Sequence, residues 1–410
     1  MPARHLTPRE KLNLRIVAQS AGDYALVFPT RTALRKSICD ATQPLRTLFA
    51  DHNFHRYDEQ GRGMRRHGVV SQATFISDTR EESVHVSLYR PKTKAHRGGD
   101  PRFWPSQFHQ HVRPNDAVAL FFKGESLCMM NLTCSRLHEA VSSERQTYAT
   151  DFFETARQIF LAPVQELVDE LRRLTVNGPL RTAARDEGVG YAVETALGIR
   201  RNAQRTPDYR GKIEIKSGRC GSRSKATLFT CVPDWELCRE LNRKRTPAER
   251  FCASHWEILN RYGYHDGLRW ALYCTVRTER ANPQGLMLAL DQEKRRLVET
   301  SRSKPANVAV WRLDALHQSL RTKHPRTLWV NAKAERHGAD ELFFLKKATY
   351  TQGPSLYQFD ALLLDGAITV DHRIHLGADS RDDHGIPFRI KPNRVHDLFE
   401  ADPVHYDLAP

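Results

Sequence analysis

No stretch of this chain approaches the roughly 18 apolar residues that a membrane-spanning helix requires. The longest apolar run is Ala117 to Phe122. The first residues, Met1 to His5, are not followed by the apolar core of a secretory signal, so a soluble, cytoplasmic protein is expected. Cysteine is sparse. The eight, at 39, 128, 134, 220, 231, 238, 252 and 274, include no Cys-x-x-Cys pair, which argues against a zinc ribbon or a thioredoxin-type site. They read as buried or idle thiols in a reducing cytoplasm. Internal repeats and low-complexity tracts are also lacking. Acidic side chains are the other deficit, 48 against 63 Lys and Arg, leaving a net charge of +15.

Hydrophobic residues make up 40% of the 410, enough for packed cores and too many for a disordered chain. Length alone suggests about two or three domains. The excess positive charge is unevenly placed. Residues 1–150 carry 22 basic and 14 acidic groups, and residues 181–250 carry 16 and 9, so the remaining residues balance to zero. A cationic surface favours an anionic partner through counterion release.

Local patterns organise the chain. Thr7-Pro8-Arg9-Glu10 reads as a capped helix start. Ser83 to Tyr89 alternates as a strand does, and Ala117–Phe122 and Ser126–Thr133 flank Lys123-Gly124-Glu125 as two more. Residues 1–145 therefore read as a β-rich N-terminal domain that binds DNA or an effector. Within it, His96 to Trp104 mixes basic and aromatic residues; it suits nucleic-acid contact, or a loop whose Phe103 and Trp104 pack into their own core. Phe153, Ala156, Phe160, Val164, Leu167, Leu171 and Leu174 form a helical stripe across a connecting segment, 146–180, with Pro163 expected to kink or restart it. Beyond it, 181–410 alternates helical and strand-like segments. Strands are expected at Lys212–Lys216, Thr227–Val232, Trp270–Thr278, Leu286–Leu290, Val308–Arg312, Thr327–Ala334, Leu342–Thr349 and Ala367–Ile374. Helices are expected at Trp235–Leu241, Ala248–Tyr262 and Ser355–Leu364. The fold class is α/β (α+β), with a mixed sheet flanked by helices.

Chemistry concentrates at Thr206 to Lys216. If Lys212–Lys216 is a strand, Ile213 and Ile215 face the core while Glu214 and Lys216 share the opposite face. Asp208, in a turn just before, can join them. Two carboxylates suit Mg²⁺, which keeps waters and leaves room for phosphate oxygens. The ion would stabilise charge on a phosphodiester and acidify a water, and Lys216 would orient that water. A short motif of this kind also arises as a plain salt bridge. Its setting favours the metal reading: between Arg200 and Lys225 lie nine basic residues and only two acidic ones, Asp208 and Glu214.

Gly188 to Ile199 with Glu194, then Asn202, then Pro207-Asp208 and Glu214-Ile215-Lys216 resemble the MvaI/BcnI restriction endonucleases of the PD-(D/E)xK nuclease superfamily. Leu328 to Glu335 and His384 to Ile390 resemble the later segments of that family. The spacing from Glu194 to Asp208 is also similar to that of the MutH mismatch-repair nickase. The resemblance implies a restriction-endonuclease-like fold over 181–410, with Asp208 and Glu214 as Mg²⁺ ligands, Lys216 as the catalytic lysine and Glu194 as an auxiliary acid. It also implies a monomer acting on duplex DNA, with a cognate DNA methyltransferase in the same system. His384, Arg389 and Lys391 are candidates for base reading, and Arg219, Arg223 and Lys225 for phosphate anchoring, with Asn202 a further DNA contact. The expected function is a Mg²⁺-dependent, sequence-specific type II endonuclease. A strand-nicking repair enzyme and a non-catalytic DNA sensor on a nuclease fold are the alternatives.

Overall fold

The computed structural model describes residues 5–92, 101–183, 188–200, 206–243, 254–302, 307–377, 381–399 and 401–409. The chain divides into two compact units, Met1–Gln165 and Glu166–Pro410. The helix Tyr148–Val176 spans the division as one element and runs through Pro163 without restarting. No helix among the described residues is long and apolar enough to cross a membrane, and no disulfide forms among the described cysteines.

The first unit opens with the helix Pro8–Ala21. Thr7 accepts from the Glu10 amide and Glu10 accepts from the Thr7 amide, closing the expected capping box. Seven strands follow: β1 (Tyr24–Val27), β2 (Cys39–Asp40), β3 (Val69–Ile76), β4 (Glu81–Tyr89), β5 (Arg102–Pro105), β6 (Val118–Lys123) and β7 (Ser126–Asn131). They form one sheet in the order β1-β6-β7-β3-β4-β5-β2, in which β3 and β7 are parallel. β6 and β7 are buried along almost their whole length, which explains their continuous apolar sequence. The basic–aromatic segment resolves toward packing. Phe103 is fully buried on β5, and Trp104 sits edge-on against buried Phe108. Its first part, 96–100, lies outside the described residues.

In the second unit, β8 (Leu180–Ala183), β9 (Glu214–Arg219), β10 (Ala226–Thr230), β11 (Tyr264–Asp266) and β12 (Arg269–Val276) come first. The three-stranded meander of β13 (Leu286–Asp291), β14 (Arg296–Ser301) and β15 (Asn307–Arg312) follows. Last come β16 (Arg326–His337), β17 (Asp340–Gln352), β18 (Ile368–Leu376), β19 (Arg381–Asp383), β20 (Pro387–Ile390) and β21 (Val404–Asp407). One sheet runs β21-β17-β16-β9, with β8 on β17; a second runs β10-β20-β18-β12-β11, with β19 on β18. The first is mixed, because β9 lies parallel to β16 while β16 and β17 are antiparallel. The α/β expectation and its mixed sheet are therefore met.

One expected strand begins two residues late. Arg210 and Gly211 take positive φ, 51° and 67°, and Tyr209 bridges Ile213 across the resulting turn, so extended pairing starts at Glu214. The helix Leu313–Lys323 was not anticipated. Its apolar residues Leu313, Leu316 and Leu320 recur at three and four and are all buried, with Asp314 in the first turn and Arg321 and Lys323 in the last, complementing the helix dipole. Leu316 is fully buried. Truncation by Leu316→Ala is expected to cost about 2–5 kcal/mol, read as a lower urea midpoint for the second unit with unchanged m.

Candidate active site

Two local devices bring the acidic residues together. The tight turn at Arg210-Gly211 doubles the chain back, so that the Asp208 carboxylate accepts the Ile215 amide at 3.3 Å. Tyr209 anchors the turn, with its ring buried and its hydroxyl 3.2 Å from Glu170. The second device is the parallel register, which sets Thr327 opposite Glu214 and Trp329 opposite Lys216. Alternation on β9 works as expected: Ile213 and Ile215 are buried in the core, and Glu214 and Lys216 lie side by side, 2.6 Å between Oε1 and Nζ.

Glu214 is completely buried. Burial pushes its carboxyl pKa up, with Lys216 pulling against that rise. The site also holds a cation that the sequence motif does not contain. Lys323 Nζ lies 2.9 Å from Glu214 Oε2 and 3.3 Å from Asp208 Oδ1, bridging the two carboxylates. Burial acts to lower the Lys323 pKa, but Glu214 and then Asp208 outweigh it and hold the ammonium above the usual lysine range. Lys323 stands here because β16 starts three residues after it, and the β9–β16 register fixes that start beside Glu214. The signal for it was the leucine period of the helix it ends, 115 residues from Asp208.

Beneath the charges lies a neutral floor. His324 is fully buried and stacks parallel to Trp329, with 6.0 Å between ring centroids. Its Nε2 donates to the Leu228 carbonyl at 2.7 Å, which can only accept, so Nδ1 accepts from the Thr327 hydroxyl at 2.9 Å. Burial, reinforced by Lys216, pushes its pKa down to about 3.

The remaining candidates are spread over the unit. Glu194 is half-buried on the helix Gly188–Ala196, which packs against β8 and β9. Arg219 forks onto Glu341, at 2.9 and 2.6 Å, on the neighbouring β17. Arg223 is exposed in the turn after β9. Lys225 and Arg389 meet on the second sheet through Asp371, at 3.6 and 2.9 Å. Lys225 also donates to Thr369 and Thr275, and Arg389 to the Lys225 carbonyl. Burial lowers the Lys225 pKa, with Asp371 opposing. A depression of about 220 Å³, lined in part by Tyr273, Thr275, Asp371 and Arg389, opens beside this cluster. His384 is half-exposed and 3.1 Å from Asp382, and Lys391 is half-buried at the end of β20. Asn202 lies outside the described residues.

The turn bearing His384 is tied inward by a buried chain. Asp383 meets His255 at 2.7 Å, His255 meets His372 at 2.9 Å, and His372 meets both oxygens of Glu299 at 3.1 Å. Burial lowers the His255 pKa, with the hydrogen bond to Asp383 opposing.

Two outcomes are expected. By ¹³C NMR, the His324 ring should keep its neutral signature at pH 5, where exposed histidines are charged. The unfolded chain takes up that proton near pH 6.5 and the folded chain near 3; acidification through that window therefore favours unfolding. Lys323→Met strips one counter-charge from Glu214 and should cost about 1–3 kcal/mol in urea unfolding at neutral pH.

The family model for the MvaI/BcnI restriction endonucleases matches residues 168–399. No curated protein sequence matches the chain. Among solved structures, restriction endonuclease MvaI in complex with cognate DNA is similar at 21% identity and TM-score 0.48, over 60% of this chain and 98% of that one. MvaI in the absence of DNA is similar at 19% identity and TM-score 0.34, over 59% and 97%. With more than half of its length matched by the family model, this chain belongs to the MvaI/BcnI restriction endonuclease family, whose members are DNA endonucleases.

Proposed function

We propose that this protein is a Mg²⁺-dependent type II restriction endonuclease that hydrolyses phosphodiester bonds of duplex DNA at a specific sequence. The observation that carries the reading is the Asp208–Glu214 pair, held by Lys216 and Lys323 within a strongly basic segment.

The residues present fit a divalent ion. Glu214 is buried, and although both its oxygens are ion-paired, neither accepts a bond of hydrogen-bond geometry among the described residues. Hard carboxylate oxygens left with spare lone pairs are what Mg²⁺ prefers, and two such ligands are enough for an ion that keeps several waters. Asp208 and Glu214 would hold it. When bound, it supplies Lewis-acid stabilisation of the phosphate and lowers the pKa of a water.

The chain's own groups do the rest. Lys216, on the exposed side of Glu214, orients the attacking water and offers its ammonium to the charge that builds on the phosphate oxygens. Lys323 adds a second positive charge on the other side of the same carboxylate. Neutral His324 keeps the floor of the site from taking up a proton that would repel both lysines. Glu194 is the auxiliary acid. Arg223, Arg219 and Lys225 anchor phosphates and Asn202 is a further DNA contact, while His384, Arg389 and Lys391 read base edges. Arg389 is suited to this because Asp371 fixes its guanidinium plane, and a fixed fork matches guanine. The protein acts as a monomer in the cytoplasm, and a cognate methyltransferase protects the host's own sites.

The test is digestion of unmethylated plasmid DNA with Mg²⁺. Wild type should give discrete double-strand fragments, and Asp208→Ala should lose on the order of 10³-fold in rate or more. Nicked circles alone would indicate a strand-specific nickase, and undiminished cutting by the variant would reject the assigned site. A readout without cleavage accompanies it: Mg²⁺ should raise the melting temperature of wild type and leave that of Asp208→Ala unchanged.

A further inference from the structure

The first unit carries a charge pattern that the catalytic reading does not use. β3 and β4 form a hairpin in which Val69 pairs with Leu88 at the open end and Ile76 with Glu81 at the turn. Seven residues of strand separate the two ends, about 23 Å at a normal rise. The carboxylates Asp78, Glu81 and Glu82 all lie at the turn end. There Glu82 pairs with Arg80 at 3.2 Å and Glu81 accepts from the Tyr148 hydroxyl at 2.5 Å. At the open end stand Arg62, Arg65, Arg66, Arg90 and Lys92, and residues 60–77 and 83–99 contain no Asp or Glu. None of these five cations forms an ion pair among the described residues, and Arg62, Arg65, Arg66 and Lys92 are exposed.

This basic end is built rather than loose. Gln60 is buried, and its amide donates to the carbonyls of His67 and Leu88 at 2.8 and 3.0 Å, clamping the short helix Met64–His67 to β4. Arg62 bridges Arg90, and Arg90 donates to the Gln60 carbonyl at 3.1 Å. Gly63 has φ 103° and lies so close under Lys92 that a Cβ would come within 2.8 Å of its side chain, which seats Lys92 beside the arginines. Five positive charges thus gather at one end of the hairpin, and none is paired with a carboxylate among the described residues.

The face next to them is polar. One side of the hairpin packs Ala73, Phe75, Val84, Val86 and Leu88 into the core. The other presents Gln72, paired with His85, and Thr74, paired with Ser83; Gln72, Ser83 and His85 are exposed. Val70, 67% exposed, lies opposite Ser87. An amide, an imidazole, hydroxyls and one apolar contact are the groups that read base edges and the thymine methyl in a major groove.

We propose that this face of β3–β4, with its arginine rim, is a second duplex-DNA-binding surface, separate from the residues of the nuclease site. The rim contacts phosphates, and Gln72 and His85 reach the base edges. The proposal takes duplex DNA as the polyanion from the endonuclease reading and otherwise stands on the first unit alone.

The experiment uses the full chain carrying Asp208→Ala, so that nothing is cut, and a fluorescent duplex of random sequence titrated with salt. Adding Arg62→Ala, Arg65→Ala and Arg66→Ala should reduce the slope of log K against log salt by about 2 to 3, at roughly 0.9 for each phosphate no longer neutralised. A photo-reactive side chain placed at Val70 should crosslink to the duplex. These positions are exposed, so the melting temperature should not change and serves as the control. An unchanged slope with no crosslink overturns the proposal, as does a surface that captures heparin or anionic vesicles yet leaves the duplex unlinked. Binding needs no cleavage: if the Asp208→Ala chain crosslinks here while wild type with Mg²⁺ never cuts DNA, the endonuclease reading is refuted and this one upheld.

Discussion

Glu214 is a carboxylate buried completely within the protein, and that single fact organises the second unit. An ionised carboxylate is too costly to bury without compensating charge. Two ammonium groups compensate here, one from two residues along the same strand and one from the end of a helix more than a hundred residues away. The strand, the parallel neighbour and the helix must all be in place for the charge to be tolerated. The same enclosure raises the chemical usefulness of the pair, because electrostatic forces act more strongly where solvent is excluded.

Much of the site was legible because β9 obeys the simplest rule of strands. Residues two apart share a face, so Glu-Ile-Lys places its charges together whatever the rest of the fold does. Asp208 was legible from the turn residues that follow it. Lys323 was not, because its approach depends on tertiary register: only the pairing of Thr327 with Glu214 makes it a neighbour. A lysine in the last turn of an amphipathic helix is ordinary from sequence alone.

The basic residues show the opposite limit. Arg219, Lys225 and Arg389 carry the right charge for DNA, yet the fold gives each of them a carboxylate at close range, Glu341 or Asp371. Charge runs count cations and cannot see partners that arrive from other strands. In the first unit the reverse occurred. The basic–aromatic segment that ends on β5 turns Phe103 and Trp104 inward, while the uncompensated cations belong to the open end of the β3–β4 hairpin.

Among the described residues β9 is the edge strand of its sheet, and its one strand neighbour there is β16. In a chain that emerges from the ribosome in order, domains assemble as their parts appear. Until residue 327 has been made, β9 lacks its partner β16, and nothing sets Lys323 beside Glu214. Contacts of such long range are also the slow ones to form. The cluster of Asp208, Glu214, Lys216 and Lys323 is therefore incomplete in every shorter nascent chain. An endonuclease built in this way completes its proposed catalytic cluster only after most of its chain has been synthesised.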